Sequence, residues 1–302
     1  MESSLRNRLT WGPVMLAGLF ALLFLDHYVQ VWTEQAGWNA GRGIAGAGLL
    51  TLLAIVIPFA TIELTRLFAA EAVRPYRILA AGGSYLLMGH AFATQFDAFK
   101  PIAASTLAFI IVWVMLAAAF RRATDRQSQE AIHRMAGTLL AMLYFGGLAW
   151  FLIALRVKQS YWPDGSPRFI GSTMVILMIL LVVKFTDIGA YFGGRAFGRH
   201  KLIPWLSPGK TWEGLFCGLA TAGLVAAACA PRVSQLTWPK AIVFGVVIGG
   251  VGQLGDLLES MMKRDADVKD SGSLIPGFGG VLDVTDSPLL AAPFAYVLFS
   301  LF

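Results

Sequence analysis

The run STMVILMILLVVKFTDIGAYF, Ser172–Phe192, decides how this chain must fold. As far as Val183 it is almost free of polar side chains. A helix needs ~20 mostly apolar residues to cross the hydrocarbon core of a bilayer, and this run supplies them. Lys184 and Asp187 lie inside it. A charge at membrane depth costs a few kcal/mol or more, so such side chains face a bundle interior or a wet cavity. A structural Lys184–Asp187 pair on one helix face would account for both. The reading taken here is that Asp187 belongs to a functional site.

Runs of this kind recur in both directions. Spans are expected near Trp11–Val31, Ile44–Ile62, Ile78–Phe96, Pro101–Phe120, Gly137–Leu155, Ser172–Phe192, Leu215–Ala230, Ala241–Leu258 and Pro288–Phe302, the last short for a full crossing. Composition agrees: of 302 residues, 57% are apolar and 14% charged, against ~25% charged in soluble domains. A soluble protein so poor in charge could not cover its surface. The expected fold is therefore all-α, a polytopic integral membrane protein with nine transmembrane helices. The first span is too long for a signal-peptide core and lacks a small-residue cleavage site, so it is kept in the mature protein. Cys217 and Cys229 lie in one apolar run and read as small buried hydrophobes rather than ligands. The net charge of +6 does not point to nucleic acid, because the basic residues sit in short loops between apolar runs.

Counting Lys and Arg on alternate sides sets the orientation. With the N-terminus inside, 16 fall in inner segments and 7 in outer ones (Arg42, Lys100, Arg156, Lys158, Arg168, Arg232 and Lys240), while Lys184 lies in a span. The N-terminus is expected in the cytoplasm. The chain divides near residue 170 into N-terminal transmembrane helices, 1–170, and a candidate catalytic transmembrane region, 171–302, with signature loops. In the first part the isolated polar residues have ordinary readings. His90 is a satisfied bundle histidine, Asp26 and His27 snorkel to the interface, and Glu63 pairs with Arg66 at a helix end.

The eighth span ends GDLLESMMKR, Gly255–Arg264. At helical spacing, Asp256, Glu259 or Ser260, and Lys263 share one face. A second charged stretch, Asp265–Gly272, precedes PGFGGVLDVTDS, Pro276–Ser287, which leads into the last span. Its glycines permit backbone conformations closed to other residues and let a ligand approach closely. Asp283 and Asp286 can present oxygens to one hard cation, since carboxylates plus substrate phosphates are the usual Mg²⁺ arrangement. Upstream, Ser207-Pro208-Gly209-Lys210-Thr211 lies in a basic inner loop whose donors suit phosphates as point contacts. It is no P-loop: that motif needs a glycine where Pro204 stands, and no strand is expected before it.

These residues resemble one family. Ser260-x-x-Lys263-Arg264-x4-Lys269-Asp270-x-Gly272, then Pro276-Gly277-x-Gly279-Gly280-x-x-Asp283-x-x-Asp286-Ser287, is similar to the signature of CDP-diacylglycerol synthases, the phosphatidate cytidylyltransferases. Asp187-x-x-Ala190-Tyr191-Phe192-x-Gly194 and Ser207-Pro208-x-Lys210-Thr211-x-Glu213-Gly214 resemble it too, so the likeness covers about residues 187–287. It implies transfer of a cytidylyl group from CTP to phosphatidic acid, giving CDP-diacylglycerol and pyrophosphate at the cytoplasmic membrane face. The catalytic set it implies is Asp256, Lys263, Arg264, Lys269, Asp283 and Asp286. The substrate-binding set is Asp187, Ser207, Lys210, Thr211, Ser260, Gly279 and Gly280. Mg²⁺ would sit on Asp256, Asp283 and Asp286, with room for a second cation. The chain departs from the family at Phe278, where histidine is usual, and at Val284, where arginine is usual; with every acidic position retained, weight shifts from side chains to the metal.

The partners expected are CTP, phosphatidic acid and the lipid bilayer, with no nucleic acid and a homodimer left open. A bacterial-type inner (plasma) membrane is the expected location. One rival is a transporter or channel using Lys184, Asp187 and Asp256 as an ion path. It requires inverted repeats or paired broken helices, and neither is visible. Another is a different lipid-phosphate transferase, such as a CDP-alcohol phosphotransferase, whose Asp-Gly-x-x-Ala-Arg pattern is absent from the sequence.

Overall fold

A bilayer offers no water to backbone N–H and C=O groups, so a chain this apolar closes its hydrogen bonds within helices. The computed structural model describes residues 2–70, 73–124, 126, 129–158, 169–233, 236–268, 270–272, 274–275, 277 and 279–302. Helix α1 (Glu2–Gln35) and a left-handed turn, α2 (Trp38–Gly41), are followed by α3 (Ala47–Ala70), α4 (Arg77–Ala93) and α5 (Ala103–Thr124). Helix α6 (Ala131–Met142) runs through one π-helical turn into α7 (Leu148–Lys158), making a single span. The last group is α8 (Phe169–Phe197), α9 (Trp212–Cys229), α10 (Trp238–Asp265) and α11 (Leu282–Leu301). Large apolar side chains such as Phe24, Phe109, Phe120 and Leu224 point outward, as a lipid-facing surface requires.

Among the described residues, eight helices are long and apolar enough to cross a membrane, one fewer than the nine spans expected. The missing one is α4, whose 17 residues rise only ~26 Å. It nevertheless joins the two ends of the bundle. At its start the N–H of Tyr76 donates to Thr138 Oγ1 at 3.0 Å. Beyond its end, Asp97 meets Lys100 at 2.7 Å and also Arg42, next to the end of α1. Lys100 and Arg42 together hold the Asp97 carboxyl below its usual range.

Two other expectations change. Asp26 does not snorkel: it is fully buried, and Arg156 Nε donates to it at 2.6 Å while the N–H of Gly48 donates at 2.9 Å. Arg156, counted above as an outer-loop cation, lies inside α7 and also bonds Gln30 at 2.8 Å. A charge pair at this depth is tolerated because each member neutralises the other. His90 is the satisfied bundle residue expected. Its Nε2 is 2.7 Å from the Ala103 carbonyl, and Nδ1 accepts from Trp150 at 2.9 Å.

The last four helices run alternately up and down, each packed on the next, with α11 closing against α7. Helices α8 and α9 approach closely because small residues line their contact. A Cβ on Gly193 would stand 2.3 Å from Cys217 Cβ, and one on Gly189 would stand 2.3 Å from Thr221 Oγ1. Between α8 and α9 the chain forms a hairpin absent from the all-helical expectation, β1 (Lys201–Ile203) with β2 (Ser207–Thr211). Glu213 anchors it by accepting the N–H of Arg199 at 3.1 Å and of His200 at 3.2 Å, with His200 Nδ1 at 2.6 Å. Strand β2 passes straight into α9, so Gly209-Lys210-Thr211 lies in a strand and not in a phosphate-wrapping loop.

Candidate active site

Helix geometry delivers the carboxylates. On α10, Asp256, Glu259 and Lys263 fall on one stripe, as i, i+3 and i+7 residues must. The first turn of α11 brings Asp283 and Asp286 opposite that stripe. Ligand oxygens of Asp256, Glu259 and Asp286 all lie within 4.8 Å of one another. Glu259 is 1% and Asp286 3% exposed. The Glu259 Oε1 atom is buried, with Lys263 Nζ at 3.2 Å but outside hydrogen-bonding geometry. Three carboxylates converging in an apolar setting repel one another unless a cation or protons neutralise them. An all-oxygen donor set with an underused buried oxygen fits a hard divalent cation such as Mg²⁺.

Asp283, expected in this set, is not among the three whose oxygens lie that close, although it stands against Glu259. Its Oδ1 accepts from Lys263 Nζ at 3.0 Å and from the N–H of Ser271 at 3.4 Å, and its Oδ2 accepts from the N–H of Gly280 at 2.7 Å. Both oxygens are therefore engaged in holding the glycine loop to α10. Glu259 takes the third place in the cluster. It was visible on the helical stripe, but sequence spacing could not choose between it and Ser260, which is half-buried.

Asp256, Asp283 and Asp286 open into a cavity of about 560 Å³, while Glu259 lies buried behind its wall. Its wall carries Lys184, Asp187, Tyr191 and Arg195 from α8, Lys210 from β2, Gln253 and Asp256 from α10, and Asp283, Asp286 and Ser287 from α11. Lys210 Nζ lies 2.5 Å from Asp256 Oδ2 and donates to Gln253 Oε1 at 3.1 Å. Gln253 Nε2 donates in turn to Asp187 Oδ1 at 2.7 Å. Asp187 is thus held by an amide from α10, where a Lys184 pair had been the alternative. Gln253 was missed in the sequence; its one signal was an amide three residues before Asp256 on the same face.

The remaining candidates divide. Thr211 reaches the cavity wall, but its side chain caps α9 by accepting the N–H of Gly214 at 3.1 Å. Among the described residues that line the cavity, Ser207, Ser260, Lys263, Arg264, Gly279 and Gly280 are not found. Arg264 is exposed at the end of α10. Lys269 and Phe278 lie outside the described residues.

The glycines answer to a different neighbour than a ligand. Gly277 and Gly279 have φ of 86° and 98°, a region open chiefly to glycine, and they close a turn bridged by Ile275 and Gly279. A Cβ on Gly280 would lie 2.2 Å from Ser271 Oγ and 2.5 Å from Glu63 Oε2, and one on Gly272 would lie 2.4 Å from Glu63 Oε1. Glu63 does not pair with Arg66, which is exposed; it is buried and turned toward this loop.

A model described as the cytidylyltransferase family matches residues 42–302. A chloroplastic phosphatidate cytidylyltransferase of Arabidopsis thaliana is 36% identical over 212 residues, 65% of this chain and 50% of the relative. The phosphatidate cytidylyltransferase of Bacillus subtilis is 41% identical over 165 residues, 54% of this chain and 57% of the relative. That of Synechocystis is 32% identical over 266 residues, 81% of this chain and 85% of the relative. The chain thus spans about half the length of the first two and most of the third.

Proposed function

This chain belongs to the cytidylyltransferase family, and from that premise we propose that it is a phosphatidate cytidylyltransferase. It transfers the cytidylyl group of CTP to phosphatidic acid, giving CDP-diacylglycerol and pyrophosphate, with Mg²⁺ as cofactor, at the cytoplasmic face of a bacterial-type inner membrane. One observation carries the reading: Asp256, Glu259 and Asp286 cluster beside a cavity that also holds Lys184, Arg195 and Lys210. Such a site suits phosphates on both substrates.

The lipid phosphate is already ionised at neutral pH, so its oxygen needs no strong general base. That oxygen attacks the α-phosphorus of CTP; the new P–O bond forms as the bond to the β-phosphate oxygen breaks, and pyrophosphate leaves. Catalysis is then alignment and charge neutralisation. Asp256, Glu259 and Asp286 would hold Mg²⁺, and the ion, when bound, would supply positive charge against that building on the leaving group. Lys210, fixed by Asp256 and Gln253, donates to phosphate oxygens as a point charge. The N-terminus of α9, capped by Thr211 and bordering the cavity at Gly214, adds a positive helix end. With valine at position 284 in place of the arginine usual in the family, neutralisation falls to Lys184, Arg195 and Lys210.

The test is the purified chain in detergent with CTP and phosphatidate, in Mg²⁺ and in EDTA, the lipid product identified by mass. CDP-diacylglycerol made only with Mg²⁺ is the expected result. Absence of that product, or its formation without divalent cations, would contradict the reading.

A further inference from the structure

Glu63 belongs to α3, in the half of the chain that carries no motif, yet its carboxylate ends at the start of α11. It is 5% exposed. Oε1 accepts the N–H of Val281 at 3.1 Å, and Oε2 accepts the N–H of Leu282 at 2.9 Å and the hydroxyl of Ser271 at 3.3 Å. The first N–H groups of a helix have no intrahelical partner, and an anion there also gains from the helix dipole. A helix usually meets this need with its own Ser, Thr, Asp or Asn. Here the capping position is Val281, which has no side-chain cap, and the cap comes from a residue 219 positions away.

We propose that Glu63 is a positioning residue: by capping α11 from α3, it sets where Asp283 and Asp286 stand relative to Asp256 and Glu259. Asp283 and Asp286 follow the capped Leu282 by one and four residues, so a shift of the capped turn carries both with it. The surrounding chain is built to admit this carboxylate, because Gly272 and Gly280 leave no room for a Cβ beside it. The inference rests on the reading of the α10–α11 carboxylates as a cation-holding set, but not on which substrates the enzyme uses.

The experiment uses the purified full chain and Mn²⁺ alone, its binding followed by electron paramagnetic resonance, beside steady-state kinetics. Glu63→Gln keeps the shape and removes the charge that two backbone N–H groups share. It is expected to weaken Mn²⁺ binding about tenfold and to lower kcat by a similar factor, with CTP KM changing less than about twofold. Gly272→Ala, which drives a methyl into Glu63 Oε1, is expected to give the same signature. Combined with Glu63→Ala, it is expected to add no further loss. Unchanged Mn²⁺ affinity in Glu63→Gln would overturn the proposal, as would strictly additive losses in the double variant. Because Mn²⁺ is read without CTP or lipid, a chain that binds Mn²⁺ but makes no CDP-diacylglycerol would refute the proposed activity and still decide the role of Glu63. A wild-type chain that binds no Mn²⁺ would overturn both.

Discussion

Replacing Asp286 by Asn removes one negative charge from the carboxylate cluster while nearly keeping the side-chain shape. Its oxygen lies within 4.8 Å of those of Asp256 and Glu259. Unit charges ~4 Å apart at an effective dielectric constant of ~20 interact by about 4 kcal/mol. Relief of repulsion among the acids returns part of this, so the expected loss of turnover is about a hundredfold or more, equivalent to ~2.7 kcal/mol. Asp256→Asn and Glu259→Gln are expected to fall in the same range. Asp265 and Asp267 are the controls, both exposed just past the cluster. Asp267 has φ 54°, which asparagine tolerates, so neither Asp265→Asn nor Asp267→Asn should change turnover by more than about twofold. The assay is the initial rate of CDP-diacylglycerol formation across an Mg²⁺ titration, with thermal unfolding followed in parallel. Equal losses in the two sets would mean a solvated acidic surface rather than a cation site.

Lys210→Ala is expected to lower kcat/KM for CTP about tenfold or more while phosphatidate KM stays within about twofold, because it removes a phosphate contact and not a packing group; unchanged CTP kinetics would remove Lys210 from the site. Asp283→Asn weakens the hold on Lys263 and on the Gly280 N–H, so unlike Asp256→Asn it should lower thermal stability by about 1–3 kcal/mol as well as activity, a difference that chemical denaturation can read. Arg156→Met strands the buried Asp26 charge and should destabilise the fold by about 3–5 kcal/mol, much of it recovered by Asp26→Leu in the same chain; a stable single variant would show that the pair is not buried as described. Cysteines introduced at Glu130 and Leu274 should both react with an impermeant reagent only from the cytoplasmic side, and labelling on opposite sides would break the orientation read from the positive charges.

What sequence made legible was whatever a single helix displays. The stripe of Asp256, Glu259 and Lys263 follows from a 3.6-residue period, and Asp187 stood out because a charge within an apolar run is expensive. The apolar runs themselves gave the helices, α4 included, although α4 is shorter than a usual span. Partners far apart in sequence were not legible. Asp26 and Arg156 are 130 residues apart, Asp187 and Gln253 are 66 apart, and Glu63 caps a helix 219 residues away. Local rules assigned Asp26 to the interface and Glu63 to Arg66, because those were the partners within one turn. Asp283 shows the same limit differently: its spacing marked it as important, but only packing against Lys263 and the glycine loop shows where its oxygens go. The hairpin at 201–211 escaped notice because two strands of three and five residues leave no periodic signal.

The central claim is that this cavity moves a nucleotidyl group, and isotope position in CTP tests it most directly. Purified protein with phosphatidate and Mg²⁺ is given CTP labelled with ³²P at the α-phosphate in one reaction and at the γ-phosphate in another. Nucleotidyl transfer predicts that α-label enters the lipid fraction while γ-label leaves as pyrophosphate, and that Asp256→Asn suppresses both. Appearance of γ-label in the lipid would mean phosphoryl transfer, and absence of α-label from the lipid would contradict the account outright.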